Sequence, residues 1–469
     1  MTVRPPALPA DLLGIDATLS DTERDIRAAT RQLVDDLVRP HIASWYADGH
    51  LPARQLAAEF GAAGLLGMHL NGYGCAGASA VEYGLACLEL EAGDSGIRSL
   101  VSVQGSLAMY PIWKYGSDEQ KDRWLPGMAA GELIGCFGLT EPDSGSDPAS
   151  MTTRATPTGD GYRLDGAKMW ITNGTIADVA VIWAKVADAQ AGNGDAHAGN
   201  GDAHAGNGDA QAGAADAHAG NGDAHAGNGD AQAGAADAHA GNGDAQAGNG
   251  VVRGFVVPTN SPGFAAREVP AKLSLRASST AEIVLDGVQL GADALLPGAF
   301  GLKGPLSCLA QARTGILFGA LGAARDCLAT AIDYATTRRQ FGKPIGAFQL
   351  TQAKLADMAT AWSAAYLMAL HIGRTIDAGP STASTSSGAG TSDPGALAAR
   401  ISMGKLNSTR TALDIARSCR SILGANGITG DYPVMRHAAN LETVLTYEGT
   451  AEIHQLVLGK ALTGLDAFA

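Results

Sequence analysis

The 469-residue sequence has few aromatic side chains, few charged residues and no concentration of positive charge. Lysine and arginine number 33 against 47 aspartates and glutamates, which gives a net charge of -14 at pH 7. A nucleic-acid surface needs a concentrated basic patch, and an anionic membrane attracts basic segments, so the acidic balance argues against both partners. We expect no membrane span and no signal peptide, because no apolar run seems long enough and the N-terminal segment has no apolar core.

The cysteines and the common catalytic motifs exclude several further classes. Six cysteines lie scattered at 75, 87, 136, 308, 327 and 419, with no CxxC pair and no disulfide-framework spacing. This usage predicts a reduced, cytoplasmic protein without a structural zinc site. The sequence also has no GxGxxG, P-loop, HExxH or GxSxG motif, so it lacks the usual signs of a Rossmann domain, an NTPase, a zinc peptidase or a serine hydrolase.

The hydrophobic pattern predicts an α+β protein in three parts. Residues 1–133 are expected to form a helical domain, opened by a capping box at Ser20 and Glu23. Residues 134–295 are rich in short β-type runs, with a hairpin expected at Asp165-Gly166. Residues 296–469 return to the helical period, where an apolar stripe predicts bundle core: Leu355, Met358, Trp362 and Tyr366.

Two stretches have too little apolar surface to fold. Repeats of the AGNGDAH type fill residues 188–250, and we expect a disordered insertion between two strands. Histidines in the repeat, such as His197, His204 and His218, could bind metal weakly, but a low-complexity expansion is the favoured interpretation, and we expect no metal site. Residues 379–396 are expected to be a flexible link between helices.

Four short stretches could carry chemistry. CFGLTEPDSGSDP at 136–148 places hydroxyls and main-chain donors on a glycine-kinked loop, which suits a heterocycle or phosphate but could equally be a decorated turn. KMWITNG at 168–174 offers a flat aromatic face and a hydroxyl on one side of a strand. RRQFGKPIGAFQ at 338–349 could pair a phosphate or simply end a helix. TYEGT at 446–450 contains Glu448, which by itself would be an ordinary surface acid.

Together and in this order, the four stretches resemble the acyl-CoA dehydrogenase family. Further stretches carry the resemblance from about residue 20 to the C-terminus: DSGIRSLVSVQGSLAMYPI, KLSLRAS, GNGVVRGF, KLADM, RHAANLETVLTYEGTAEIH and TGLDAFA. The motifs are most similar to the glutaryl-CoA dehydrogenases of that family. The resemblance implies an N-terminal helical domain, a middle β-barrel-like domain, a C-terminal four-helix bundle, bound FAD, a homotetramer, and electron-transfer flavoprotein as electron acceptor.

The resemblance also implies residue roles. Glu448 matches the base that removes the α-proton, while the β-hydrogen leaves as hydride to flavin N5. Positions matching FAD contacts are Phe137, Leu139, Thr140, Gly145, Ser146, Trp170, Ile171, Thr172, Arg338, Phe341, Gln349, Ser421, Leu423, Gly424, Thr450 and Phe468. Of these, Arg338 and Gln349 match positions that reach the FAD of a neighbouring subunit. Positions matching acyl-CoA contacts are Glu91, Arg98, Ser102, Ser146, Arg313, Tyr447 and Gly449.

Arg98 is expected to decide the substrate. It matches the arginine that holds the distal carboxylate in glutaryl-CoA dehydrogenases, a role that suits a guanidinium because it can make two parallel charge-assisted bonds. The ordinary alternative is an arginine paired structurally with Glu91 or Asp94. The implied reaction converts glutaryl-CoA to crotonyl-CoA and CO2, in lysine, tryptophan or aromatic degradation. Leu445 departs from relatives that are polar there, so oxidation without decarboxylation, or another acidic acyl-CoA, stays open, as do an oxygen-using oxidase and a non-catalytic scaffold.

Overall fold

The computed structural model describes residues 11–186, 250–379 and 394–467. The expected disorder of 188–250 therefore falls outside the described residues except at Gly250, and Phe468 falls outside them altogether. The expected link 379–396 is longer than the structure allows, because a helix already begins at Pro394. A proline at a helix start is well tolerated, since its missing N–H would have no partner there.

The N-terminal part is helical and its predicted caps are present. Ser20 and Glu23 form the expected capping box, as do Ser117 and Gln120. A π-helix, Val103–Met109, continues directly from α5 into α6. The described helices of this part are α1 (Asp21–Leu37), α2 (Ile42–Asp48), α3 (Ala53–Ala62), α4 (Ala80–Gly93), α5 (Ser95–Ser102), α6 (Tyr110–Tyr115) and α7 (Asp118–Ala129), with a small ribbon of β1 (Asn71–Gly72) and β2 (Cys75–Ala76).

The middle part is a curled seven-stranded sheet. Its strands are β3 (Gly135–Gly138), β4 (Arg154–Pro157), β5 (Gly161–Thr172), β6 (Val179–Val186), β7 (Val251–Pro258), β8 (Phe264–Glu268) and β9 (Thr280–Gly291). The order is β3-β6-β4-β5-β9-β8, with β7 antiparallel to β6. Val186 pairs directly with Val251, so the undescribed stretch connects two adjacent strand ends.

The hairpin expected at Asp165-Gly166 is wrong. β5 runs straight through this dipeptide, and its pairing with β9 shifts register between Leu164 and Gly166. Gly166 has φ 150°, and a Cβ there would lie 2.5 Å from Thr153 Oγ1. Asp-Gly is therefore a bulge in a long strand, which is the other structure that a glycine inside a β-type run indicates.

The C-terminal part is a helical bundle. It contains α8 (Lys303–Thr337), α9 (Gln349–Asp377), α10 (Pro394–Leu423), α11 (Val434–Thr446) and α12 (Ala451–Thr463), with a ribbon of β10 (Arg339–Gln340) and β11 (Lys343–Pro344). The expected core stripe is confirmed: Met358, Trp362 and Tyr366 are buried, and Leu355 packs against them.

α8 is the central helix, packed against α4, α9 and α10. Of the described helices it alone is long and apolar enough to cross a bilayer by length and composition, which the sequence expectation overlooked. However, 83% of its apolar window is buried inside the protein, as for a core helix. Glycines bring it close to α4: a Cβ on Gly322 would lie 1.8 Å from Leu88 O. This close approach brings polar residues of α4 against α8.

Candidate active site

Glu448 lies on a short loop between α11 and α12. Its backbone is left-handed, with φ 54°, and Gly449 follows with φ 98°. Thr450 closes the loop as the N-cap of α12, where its Oγ1 accepts from Ile453 N–H at 3.3 Å. A non-glycine residue with positive φ is strained, and such strain persists where the surroundings hold it, often at functional sites.

Two buried cations hold this loop by its main chain. Arg313, from α8, donates from Nε to Glu448 O at 2.8 Å. Lys405, from α10, donates from Nζ to Tyr447 O and to Gly449 O, each at 2.6 Å. Three successive carbonyls therefore accept bonds from two helices. A side chain at Gly449 would be strained by its φ and would approach Arg313 Nη2 at 3.3 Å.

The carboxylate of Glu448 lies in a cationic environment. Its Oε2 is buried and has no hydrogen-bond partner among the described residues. Burial raises the pKa of Glu448 above its ordinary value, and three cations oppose this shift: Arg98, Lys405 and Arg313. A buried carboxylate with a raised pKa is suited to accept a proton.

Arg98 is fully buried, with an exposed fraction of 0%. Its Nε donates to Glu91 Oε2 at 2.8 Å and its Nη1 to Ser102 Oγ at 2.8 Å. Burial opposes its charge, but the carboxylates of Glu91 and Glu448 raise the pKa of Arg98 further. The pairing alternative is thus confirmed for Glu91. It is wrong for Asp94, whose carboxylate accepts from Arg436 and Asn440.

The pair with Glu91 does not satisfy Arg98 completely. Its Nη2 has no hydrogen-bond partner among the described residues. Its guanidinium carbon lies 5.4 Å from the ring centroid of Tyr447, whose buried hydroxyl is likewise without a partner in the described ranges. Tyr447 immediately precedes Glu448, so donors without acceptors and the candidate base belong to one cluster. Buried polar groups are normally satisfied, so these atoms indicate a ligand.

The glycine-kinked loop at 136–148 is fastened to strand β5. Lys168 donates to Glu141 Oε1 at 2.9 Å and to Leu139 O at 3.1 Å, and both charged side chains are buried. Met169 N–H donates to Thr140 O at 2.9 Å. Phe137 and Leu139 are buried, whereas Gly145 and Ser146 are exposed. The first two stretches singled out in the sequence are therefore neighbours in space.

Trp170 stands out on this surface. It is 58% exposed and has φ 65°, within a bulge where the β5–β9 register shifts between Lys168 and Ile171. Thr172, two residues on, is half-buried, but the side chain of Ile171 lies in the sheet core. An exposed, strained tryptophan beside hydroxyls and main-chain donors fits a flat heterocycle, with Ile171 limited to main-chain contact.

A second group of expected cofactor residues lies at one end of the bundle. Phe341 is 93% exposed with φ 50°, and Arg338, Gln349, Ser421 and Gly424 are also exposed, whereas Leu423 is buried. Ser421 Oγ accepts from Lys354 Nζ at 3.0 Å. In the described ranges, no hydrogen bond joins this group to the 136–148 loop or to Trp170.

The sequence gave no role to Lys405, Glu141, Lys168 or Gly319. A local signal existed for Lys405, which is a lone cation on a helix face otherwise made of small and apolar residues: Ile401, Ser402, Ser408, Thr409 and Ala412. Its partners, however, lie on a loop more than one helix later, and no local pattern reveals that contact. The roles of Glu141 and Lys168 likewise depend on a contact between the loop and the strand.

Comparison with known proteins places these features in context. Three domain models match: acyl-CoA dehydrogenase N-terminal domain over residues 20–132, middle domain over 136–200 and C-terminal domain over 300–463. A curated acyl-CoA dehydrogenase from Bacillus subtilis (strain 168) is 31% identical over 87% of this chain and 90% of its own length.

Two solved structures of glutaryl-CoA dehydrogenase from Mycobacterium smegmatis are also similar. One is 54% identical with a TM-score of 0.80, covering 98% of this chain and 99% of that chain. The other, a complex with FADH2, is 48% identical with a TM-score of 0.80, covering 98% and 100%. The expected three-part α+β fold and the expected resemblance are confirmed.

Proposed function

This chain belongs to the acyl-CoA dehydrogenase family, and on that premise we propose that it oxidises glutaryl-CoA and decarboxylates the product to crotonyl-CoA and CO2. The observation that carries the proposal is the buried Arg98, with Nη2 unpartnered among the described residues, in one cluster with Tyr447 and Glu448. A plain fatty acyl chain would leave that donor unsatisfied, at a cost of about 1–3 kcal/mol. A distal carboxylate would satisfy it.

FAD is the cofactor, and when bound it accepts the β-hydrogen with its electron pair. The loop at 136–148 and Trp170 would hold it, because they combine hydroxyls, main-chain donors and an exposed aromatic face. The exposed residues at the bundle end support a homotetramer in which they reach a neighbouring subunit's cofactor. We propose electron-transfer flavoprotein as electron acceptor and the cytoplasm as the location, in lysine, tryptophan or aromatic degradation, on the basis of the family resemblance and the free cysteines.

In the proposed first step, Glu448 removes the α-proton of the thioester. Gly449 has no side chain, so the thioester carbonyl can approach the main chain, and the N–H of Glu448 makes no hydrogen bond within the described residues. A hydrogen bond from that N–H would stabilise the developing enolate. Loss of the α-proton and the β-hydride leaves a double bond between these carbons, giving glutaconyl-CoA.

The second step breaks the bond between the γ-carbon and the carboxylate. CO2 leaves, and the bond electrons delocalise into the unsaturated thioester. The protonated Glu448 then returns its proton to the γ-carbon, which gives crotonyl-CoA and restores the base. Arg98 holds the carboxylate until that step, so the chain positions both ends of the substrate around a single acid-base group.

The test compares two five-carbon substrates that differ only at the distal end, glutaryl-CoA and pentanoyl-CoA. We expect kcat/KM to favour glutaryl-CoA by about 100-fold or more, because a site built for a polar group rejects the analogue that lacks it. Arg98→Met should abolish this preference. Equal kcat/KM for both substrates in the unmodified enzyme would contradict the proposed substrate while leaving the family assignment intact.

A further inference from the structure

Lys405 is a buried cation that the reaction as described above does not use. Its exposed fraction is 0%, and it lies on α10, directly beneath the loop that carries Glu448. Lysine is almost never fully buried without a partner, because removing an ammonium from water costs several kcal/mol. A role that requires the charge at this position would explain its presence.

The ammonium is anchored by neutral acceptors alone. Within the described residues Lys405 forms no ion pair, and its bonds at 2.6 Å go to Tyr447 O and Gly449 O. These carbonyls flank Glu448, so Lys405 grips both ends of the three-residue segment that carries the carboxylate. Nζ also lies 6.0 Å from the ring centroid of Tyr447. The geometry restricts the main chain at the strained φ of Glu448.

The charges that face this segment come from several elements. Arg98 lies on α5 and Arg313 on α8, and both act on Glu448 and Lys405 with the same sign. Glu91, on α4, is the carboxylate that opposes them at Glu448. Burial, more than the neighbouring Arg313, lowers the pKa of Lys405 below its usual range, while Glu448 opposes that shift.

We propose that Lys405 is a positioning residue for the reaction: its ammonium fixes the loop that aims Glu448 and favours the ionised carboxylate. It touches neither substrate nor cofactor in this proposal, and acts through the base. The inference rests on the proposed function, because it takes Glu448 as the base.

The experiment compares Lys405→Met with Lys405→Gln. Methionine keeps the length and removes both the charge and the donors, whereas glutamine removes the charge but can still donate to a carbonyl. Lys121→Met is the matched control, since this helical lysine pairs at 3.2 Å with the exposed Asp118, remote from the site in sequence. Glu448→Gln is the benchmark for loss of the base. Each variant is purified with bound FAD, and flavin bleaching by saturating glutaryl-CoA is followed in a single turnover as a function of pH.

Two results are expected. The bleaching rate of Lys405→Met falls about 10- to 100-fold, the scale of a misplaced catalytic group, and Lys405→Gln recovers part of it. In both variants the acid limb of the pH profile moves to higher pH: Glu448 acts only when ionised, and removal of a nearby cation makes it bind its proton more tightly. The Lys121→Met control keeps the rate and the profile of the unmodified enzyme.

An unchanged acid limb in flavin-loaded Lys405→Gln would overturn the inference, even if the rate fell, because a merely structural lysine would lower the rate without shifting the profile. A different failure marks the proposed function itself: Glu448→Gln would then bleach as fast as the unmodified enzyme. The two failures are therefore distinguishable in one set of measurements.

Discussion

Gly319, on α8, and Glu91, on α4, are in such close contact that a Cβ on Gly319 would lie 2.3 Å from Glu91 Oε2. The same oxygen accepts the hydrogen bond from Arg98 Nε at 2.8 Å. The absence of a side chain at 319 therefore leaves room for the ion pair. A helix glycine usually costs about 1 kcal/mol relative to alanine, and here that cost has a structural reason.

Gly319→Ala should weaken recognition of the distal carboxylate. The new methyl group forces Glu91 to move, so Arg98 loses the partner that orients it. We expect KM for glutaryl-CoA to rise at least about tenfold, whereas turnover of pentanoyl-CoA changes little. Steady-state kinetics with both substrates measure the effect.

Gly459→Ala is the matched control for that experiment. Gly459 lies on α12, and a Cβ there meets no atom within 4 Å. The alanine should therefore leave both KM values unchanged and stabilise the helix slightly. If Gly319→Ala and Gly459→Ala gave the same KM for glutaryl-CoA, the contact with Glu91 would have no part in substrate selection.

The buried pair of Glu141 and Lys168 should control cofactor retention. Lys168→Met leaves the Glu141 carboxylate buried without its cation, which typically costs about 3–5 kcal/mol. We expect the purified variant to carry less FAD, because this pair fastens the loop at 136–148 to β5. The ratio of flavin to protein absorbance measures the loss. Lys185→Met, at a partly exposed lysine on β6, is the control, and equal flavin content in the two variants would refute the role.

The same pair makes a pH prediction. Burial alone would raise the pKa of Glu141, but hydrogen bonding and charge from Lys168, with help from Thr152 and Thr153, outweigh burial and lower it to about 2. A depressed carboxylate pKa contributes stability that is fully present above the ordinary value of 4.5 and is lost as the pH falls through about 2. The free energy of unfolding of Glu141→Gln should therefore approach that of the unmodified protein between these values. Urea titrations at several pH values measure it, and a constant difference would contradict the ion-pair account.

Replacing residues 187–249 by Asn-Gly should leave the flavin site intact. Val186 and Val251 pair directly at the ends of adjacent antiparallel strands, which is the geometry that a two-residue hairpin turn closes. We expect an unchanged flavin content and an unchanged rate of bleaching by substrate. Loss of flavin from the shortened protein would show that the insertion supports the fold.

Local sequence patterns predicted local structure well. The caps at Ser20 and Ser117 and the buried stripe at Met358 and Trp362 follow from short-range chemistry and helical period, and they are present. Asp165-Gly166 shows the limit, because the same dipeptide suits a hairpin turn or a bulge, and only pairing with β9 distinguishes them. The cationic support of Glu448 could not be predicted, since Arg313 and Lys405 come from different helices.

The most direct test of the central claim is the identity of the product. The purified, FAD-loaded enzyme is mixed with glutaryl-CoA and an artificial electron acceptor, and the acyl-CoA products are identified by mass. The account predicts crotonyl-CoA, 44 mass units (about the mass of one CO2) lighter than glutaconyl-CoA. Glutaconyl-CoA as the final product would contradict the decarboxylation and leave the oxidation standing, and unchanged glutaryl-CoA would contradict the role given to Arg98.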